Sequence, residues 1–362
     1  MIIFFIALFI ICCVNLKFSK GSFVYDNLAK GNPNQTCVRG IFCVFILISH
    51  AMSYFSNTSS FLDSSAQKVT TIFAQLIVVM FFFYSGFGIM ESYKANDKYF
   101  KTYPKNRILK TFIHFALAIC LFIVLNLILD RDYSVKTTLL AFTGYTSIGN
   151  SNWFMFAMFM AYIAIYISYL MFKNKYALVT STTVLTLIYI CVMSNLQYSY
   201  WYDTILTFPF GMLFSLLREK VESFVLQSNK HYYIISIISV IILAALYFLA
   251  KRFNPLALTY NIFSIVFAFV ILLITYKFQL NNRILSFLGK HSFSIYILQR
   301  LSMLVFKGTS LVNHHFLFAL ICFSITMLIA VGFDYVCDKI DSRLFAKKKP
   351  KPEIQPQQKE MA

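Results

Sequence analysis

The chain has 362 residues, of which 59% are hydrophobic and only 13% are charged. A soluble domain carries about 25% charged residues, so the composition excludes an ordinary soluble enzyme and indicates a membrane protein. The net charge of +18 does not predict a nucleic-acid partner, because the basic residues fall in short loops between apolar runs, where membrane proteins concentrate them.

Eleven apolar segments follow one another along the chain, each bounded by charged or turn residues. They are continuous runs rather than short alternating strands, which indicates helices and not a β-barrel. We therefore predict an all-α polytopic membrane protein, a bundle of about ten or eleven transmembrane helices. The seventh segment contains Pro209 and Gly211 and is predicted to be kinked or broken. The segments are 1–16, 39–55, 69–91, 108–129, 153–172, 177–195, 202–217, 232–250, 257–275, 284–306 and 316–336.

The two ends of the chain differ from the middle. Residues 1–18 are predicted to form an extra N-terminal transmembrane helix, although a signal-like start is an alternative that the sequence leaves open. Residues 341–362 are predicted to be a basic, Pro-rich tail. With this tail in the cytoplasm, most of the Lys and Arg residues fall on the cytoplasmic side, which is the orientation that multi-pass proteins of the cell membrane prefer.

Two ionisable residues share one stripe of the second segment. His50 lies eleven positions after Arg39, and eleven steps of about 100° return a helix to nearly the same face. The two side chains are about 16 Å apart along the axis, so we expect Arg39 at the cytoplasmic surface and His50 near the middle of the bilayer. A buried ionisable group at that depth predicts a functional site; a packing histidine is the alternative.

Further basic residues lie at the mouths of the apolar segments. Arg107 and Lys110 open the fourth segment one helical turn apart. Together with Arg39 they form what we call the basic rim, which suits a ligand with several phosphates. The alternative is that these charges only set the topology.

Other polar positions inside the apolar segments carry weaker signals. Ser85 and Gly86 lie where a backbone can approach a ligand or a neighbouring helix closely. Gln299 and Arg300 are intramembrane polar residues that need partners, whereas His114 is predicted to be structural. The eight cysteines include no C-x-x-C pair, and we predict no metal site.

The order of motifs resembles a known family. R-G-I opens the second segment, and a His follows the Arg after ten intervening residues. Later in the chain come, in this order, F-F-Y-S-G, an R-x-x-K cluster, N-W-F, F-P-F-G-M-L and L-G-K-H-S-F-S-I-Y. This series is similar to that of the bacterial membrane acyltransferase family 3, whose members commonly O-acetylate cell-surface sugars. The resemblance covers residues 36–340.

The resemblance implies a ten-helix bundle with an acyl-CoA site facing the cytoplasm, and essential roles for Arg39 and His50. Two features depart from it: the additional segment at residues 1–18, and Gln299 at a position where many members have His. It implies acetyl-CoA or another acyl-CoA as donor substrate with no bound cofactor, and a glycan or other hydroxyl compound as acceptor.

Residues and resemblance together predict an integral membrane O-acetyltransferase that works in the lipid bilayer. The basic rim would bind the phosphates of acyl-CoA, and His50 would act as general base on the acceptor hydroxyl. Ser85 and Gly86 would contribute to the acyl-CoA site near the oxyanion. A transporter or flippase for a glycolipid or polysaccharide precursor is the alternative, because broken helices are typical of transporters.

Overall fold

A computed structural model describes residues 1–29, 31–56, 60–252 and 257–345. In these ranges the chain is almost entirely α-helical, which confirms an all-α polytopic membrane protein. Eight helices or helical stretches are long and apolar enough to cross a membrane. They are Pro33–Met52, Phe61–Ala95, Tyr99–Ile128, Trp153–Met171, Lys175–Leu196, Asn229–Ala250, Ala257–Lys277 and His315–Leu344.

Fifteen α-helices and two short strands make up the described part of the chain. A 3-10 turn at Ala74–Val78 joins α3 to α4, and a π-helix at Pro104–Leu109 joins α5 to α6. The elements are α1 (Ile2–Cys13), β1 (Lys17–Phe18), α2 (Pro33–Met52), α3 (Phe61–Phe73), α4 (Val79–Ala95), α5 (Tyr99–Tyr103), α6 (Lys110–Ile128), α7 (Val135–Ala141), α8 (Trp153–Met171), α9 (Lys175–Leu196), α10 (Thr207–Val225), α11 (Asn229–Arg252), α12 (Ala257–Lys277), β2 (Phe278–Gln279), α13 (Arg283–Lys290), α14 (Ser292–Phe306) and α15 (His315–Leu344).

The predicted count of ten or eleven spans depends on three further helices, α1, α10 and α14. Of these, α10 is more polar, whereas α1 and α14 are apolar but have only 12 and 15 residues. At 1.5 Å per residue, α1 is about 18 Å long against a hydrocarbon core of about 30 Å. The crossing of residues 1–18 therefore stays a prediction. In the predicted tail, residues 341–344 belong to α15, and residues 346–362 lie outside the described residues.

Two local predictions are wrong. The segment with Pro209 forms one continuous helix, α10, because Pro209 is the third helical residue, where its missing N–H has no carbonyl to bond. The tenth segment, 284–306, is instead divided into α13 and α14 at His291, whose backbone leaves the helical region. His291 and Ser294 both hydrogen-bond the Asp334 carboxylate on α15, and this contact holds the break in place.

A buried lysine attaches the N-terminal segment to the bundle. β1 pairs antiparallel with β2, and Lys277, at the end of α12, is 1% exposed. Its ammonium group donates to the carbonyls of Ser19 and Ser22 and to the Asn229 side chain. Three acceptors match the three donors of an ammonium group, so the buried charge is fully hydrogen-bonded.

Glycines allow the closest helix contacts in the bundle. A methyl group on Gly86 of α4 would lie 2.0 Å from the carbonyl oxygen of Phe208 on α10, and one on Gly211 of α10 would lie 2.3 Å from the Phe83 carbonyl oxygen. A methyl group on Gly40 of α2 would likewise lie 2.1 Å from the Leu285 carbonyl oxygen on α13. Small residues permit such backbone approach between membrane helices.

The Gly86 contact can be tested with a control on the same helix. We expect Gly86→Ala to destabilise the protein by about 1–3 kcal/mol, because the added methyl group meets backbone that cannot move away cheaply. The matched control is Gly88→Ala, since nothing lies within 4 Å of the methyl group it adds and alanine favours a helix. Thermal unfolding in detergent should show a lower Tm for Gly86→Ala alone. Equal Tm values for the two variants would contradict the close crossing.

Candidate active site

A cavity of about 560 Å³ lies between α2, α4, α6, α8 and α14. Its wall is polar near the start of α2 and of α6, and largely aromatic and aliphatic further along. The lining residues are Gln35, Arg39, Ile46, Val78, Phe81, Tyr84, Ser85, Asn106, Arg107, Lys110, Thr111, His114, Phe154, Met155, Met158, Tyr162, Ser292, Phe293 and Tyr296. We call this space the central cavity.

The structure brings the whole basic rim to the central cavity. Arg39, Arg107 and Lys110 all line it, although α2 and α6 are separated by more than fifty residues of sequence. The amides of Gln35 and Asn106 line the same region. Three cations and two amides in one mouth form a surface that favours anionic oxygen groups.

Arg39 retains hydrogen-bonding capacity inside this mouth. One terminal nitrogen reaches the Thr36 hydroxyl at 3.5 Å, which is a weak contact. Its Nε and the nearby Tyr84 hydroxyl are both buried and have no hydrogen-bond partner among the described residues. Buried polar atoms are costly unless they are bonded, so this pair of residues is suited to binding a ligand.

The other two basic residues of the rim have protein partners. Arg107 donates through Nε to the Tyr99 hydroxyl at 3.2 Å. Lys110 forms a 2.6 Å ion pair with Asp341 on α15. The other oxygen of the same carboxylate lies 3.1 Å from His114 Nε2, within hydrogen-bond distance. Asp341 thus joins α15 to the cavity mouth and partly neutralises it.

Ser85 and Gly86 have different surroundings. Ser85 lines the central cavity, and its hydroxyl lies 3.0 Å from that of Tyr162. Gly86 is not among the lining residues, since it faces Phe208 at the crossing with α10. The structure therefore shows Gly86 in a helix-packing contact, and its predicted role in acyl-CoA binding stays a prediction.

His50 lies beyond the far end of the central cavity. Because α2 begins before Arg39 and ends at Met52, His50 occupies the last helical turn and not the middle of the helix. Ile46, one turn earlier on the same face, lines the cavity, but His50 does not. The Tyr296 ring lies 6.3 Å from the His50 ring and 5.2 Å from the Phe154 ring. Tyr296 and Phe154 both line the cavity, so Tyr296 is a lining residue whose ring lies near the imidazole.

His50 also contacts the residues that precede α8. Its Nδ1 lies 3.5 Å from the Ser151 hydroxyl, at the outer limit of a hydrogen bond. The Asn126 side chain donates to the Ile148 carbonyl at 2.8 Å and orders the loop that precedes Ser151. The imidazole therefore keeps a ring nitrogen for other partners.

Sequence reasoning missed several residues of the site. Tyr84 and Tyr296 fall within motifs of the resemblance but were not singled out, and Tyr162 gave no signal, because tyrosine is abundant throughout the apolar segments. Asp341 was assigned to the tail, and its pairing with Lys110 depends on tertiary contact. His114 was predicted to be structural; it bonds Asp341 but also lines the cavity. Gln299 is fully buried, and its amide donates to the Tyr296 carbonyl of the same helix.

The bundle and its cavity define a polytopic membrane protein with an internal, charge-lined site. The family model of the acyltransferase domain matches residues 34–335. The chain belongs to this family, the membrane acyltransferase family 3, as the order of motifs had predicted. No curated protein and no solved structure gives a significant match to the chain. Among the described residues, no group of three or more His, Cys, Asp or Glu side chains is arranged to hold a metal ion.

The bond between α15 and the cavity mouth gives a direct prediction. Asp341→Asn should destabilise the protein by about 1–2 kcal/mol, because it leaves Lys110 and His114 without their shared carboxylate in a partly exposed site. The control is Asp338→Asn on the same helix, where the carboxylate is exposed and forms no ion pair among the described residues. Thermal unfolding measures the difference. A Tm unchanged in both variants would show that the ion pair contributes nothing.

Proposed function

We propose that this membrane acyltransferase moves an acyl group, with acetyl as the first candidate, from acyl-CoA to a hydroxyl of a cell-surface glycan or its precursor. Family membership supports the class of reaction. The observation that carries the choice of donor is the central cavity, where Arg39 and Tyr84 offer unbonded polar atoms next to Arg107 and Lys110. In this proposal acyl-CoA is a substrate, and no bound cofactor is needed.

The cavity suits the shape of an acyl-CoA molecule. The phosphates of coenzyme A would lie at the basic rim, where guanidinium groups form charge-assisted hydrogen bonds. The flexible arm would extend past Ile46, Met155 and Met158, which line the apolar part. The thioester would then reach the end of the cavity that is closed by Tyr296 and Phe154.

His50 would act as the general base in this reaction. The acceptor hydroxyl gives its proton to the imidazole, and its oxygen attacks the thioester carbonyl carbon. The carbon–sulfur bond breaks as the ester forms, and the proton passes to the departing thiolate of coenzyme A. Because Tyr296 lines the cavity and its ring lies 6.3 Å from the His50 ring, the thioester would approach the imidazole along this ring. Ser85, hydrogen-bonded to Tyr162, would contribute polarity to the acyl-CoA site.

The distribution of basic residues supports one orientation of the protein in the membrane. The basic rim would face the cytoplasm, where acyl-CoA is made available, and so would the C-terminal tail. His50 and Ser151 would then lie toward the outer face of the cell membrane. Donor and acceptor would approach the site from opposite sides of the bilayer.

The transporter alternative loses one supporting observation. The segment with Pro209 gave it mild support as a candidate broken helix, and α10 is continuous from Thr207 to Val225. The decisive experiment incubates the purified protein with labelled acetyl-CoA and a panel of glycans, and detects transfer by mass spectrometry. Acetylated glycan supports the enzyme. Glycan movement across vesicles without acetylation would support the transporter.

His50→Ala tests the proposed base. We expect transfer to fall by about 10²–10⁴-fold, which is the typical contribution of a general base. Binding of coenzyme A, measured by calorimetry, should stay close to wild type because His50 does not line the central cavity. A variant that folds normally and retains wild-type transfer would remove His50 from the mechanism.

Arg39→Lys separates phosphate binding from simple anchoring. Lysine keeps the charge but lacks the planar fork, so we expect the KM for acyl-CoA to rise about 10–100-fold, the equivalent of one or two charge-assisted hydrogen bonds. The matched control is Arg283→Lys, an exposed position at the start of α13, which packs against α2. Donor titrations that are identical for both variants and wild type would assign Arg39 to anchoring alone.

A further inference from the structure

Two arginines lie at the His50 end of the bundle and have no role in the donor site. Arg131 follows α6, and Arg300 lies on α14 one turn after Tyr296. We call them the arginine pair. Neither lines the central cavity. Both side chains are half-buried, so their charges are partly removed from water.

The arginine pair lacks partners in the part of the chain that the structure describes. Arg131 Nη1 and Arg300 Nε are buried without a hydrogen-bond partner there, and neither guanidinium forms an ion pair within 4.0 Å. Asp130 and Asp132 flank Arg131 in the sequence but are exposed and do not pair with it. The Tyr133 ring lies 5.9 Å from the Arg131 guanidinium, and a ring face does not satisfy N–H donors.

Both members of the arginine pair lie near residues that surround His50. Arg300 lies within electrostatic range of the His50 imidazole. Arg131 and Arg300 both lie within electrostatic range of Tyr54, one turn after His50 along the chain. Arg131 also lies beside Gly149, in the loop that leads to Ser151 and its contact with the imidazole.

We propose that the arginine pair binds a carboxylate or phosphate of the acceptor, so that this acyltransferase acts on acidic sugars. Buried guanidinium groups are expected to be paired, and a planar fork matches anionic oxygens in two-point contact. An anion held by the pair would place a neighbouring hydroxyl of the same sugar beside His50. This inference rests on the proposed function, since it takes His50 as the base that receives the hydroxyl proton.

The first test measures binding without acyl-CoA, so its result is independent of catalysis. Glucuronic acid and galacturonic acid are titrated into the detergent-solubilised protein by calorimetry, beside glucose and galactose, which carry a hydroxymethyl group in place of the carboxylate. We expect the acids to bind at least about 10-fold more tightly than the neutral sugars, the difference that one charge-assisted hydrogen bond gives. Equal affinities, or no binding of either acid up to about 10 mM, would overturn the proposal.

Variants identify the residues responsible. Arg131→Gln and Arg300→Gln should each remove most of the preference for the acid, whereas Arg300→Lys should keep part of it. The control is Lys136→Gln, which removes an exposed charge on α7, after the loop that contains Arg131. It should leave the preference unchanged. Equal loss in the control would mean that general charge, and not the arginine pair, attracts the acid. The Tm of each variant is measured beside that of the wild type, so that misfolding is recognised.

Lipid phosphate is the competing source of an anion. The protein is placed in nanodiscs of phosphatidylcholine, with or without phosphatidylglycerol, and the acid titration is repeated. We expect the same preference for the acid in both discs. Phosphatidylglycerol would raise the Tm of the wild-type protein if the arginine pair binds lipid. If Arg131→Gln and Arg300→Gln reduce only this rise in Tm and leave the preference for the acid unchanged, the pair binds lipid and the proposal fails. Acid binding without detectable transfer in the labelled acetyl-CoA assay would support the site while contradicting the proposed function.

Discussion

The close contact of α4 with α10, and of α2 with α13, is the constraint on which the rest of the structure depends. Gly86 and Gly40 bring backbone to backbone at these crossings, where no other residue type fits. Because α4 carries Tyr84 and Ser85 and α2 carries Arg39, the crossings hold the walls of the central cavity at fixed positions. In lipid, where the hydrophobic effect does not drive helices together, such packing is a main source of association.

The packing leaves buried polar atoms without hydrogen-bond partners at several places in the described chain, and the two proposals concern two of these places. Near the start of α2, Arg39 and Tyr84 line the central cavity. Near the His50 end, Arg131 and Arg300 have no carboxylate partner within 4.0 Å in the described chain. An unpaired charge that is partly removed from water costs free energy in the empty protein, and in the proposals that cost would favour the binding of an anion.

Tyr296 connects these two ends. Its ring lies 5.2 Å from the Phe154 ring and 6.3 Å from the His50 ring. In the proposed reaction these apolar rings would limit contact of the thioester with water, which protects a reactive acyl group from hydrolysis.

The sequence by itself determined the membrane class, most helix positions and the shared stripe of Arg39 and His50, because hydropathy and helical period are local properties of a chain. It also selected Arg107 and Lys110 as partners of Arg39. Only the tertiary structure decided that Pro209 stays inside a continuous α10, that Gly86 packs against Phe208 and that Asp341 pairs with Lys110. These outcomes depend on which helix faces lie together. The partner of a residue in another helix cannot be predicted from the residues that are close to it in the sequence.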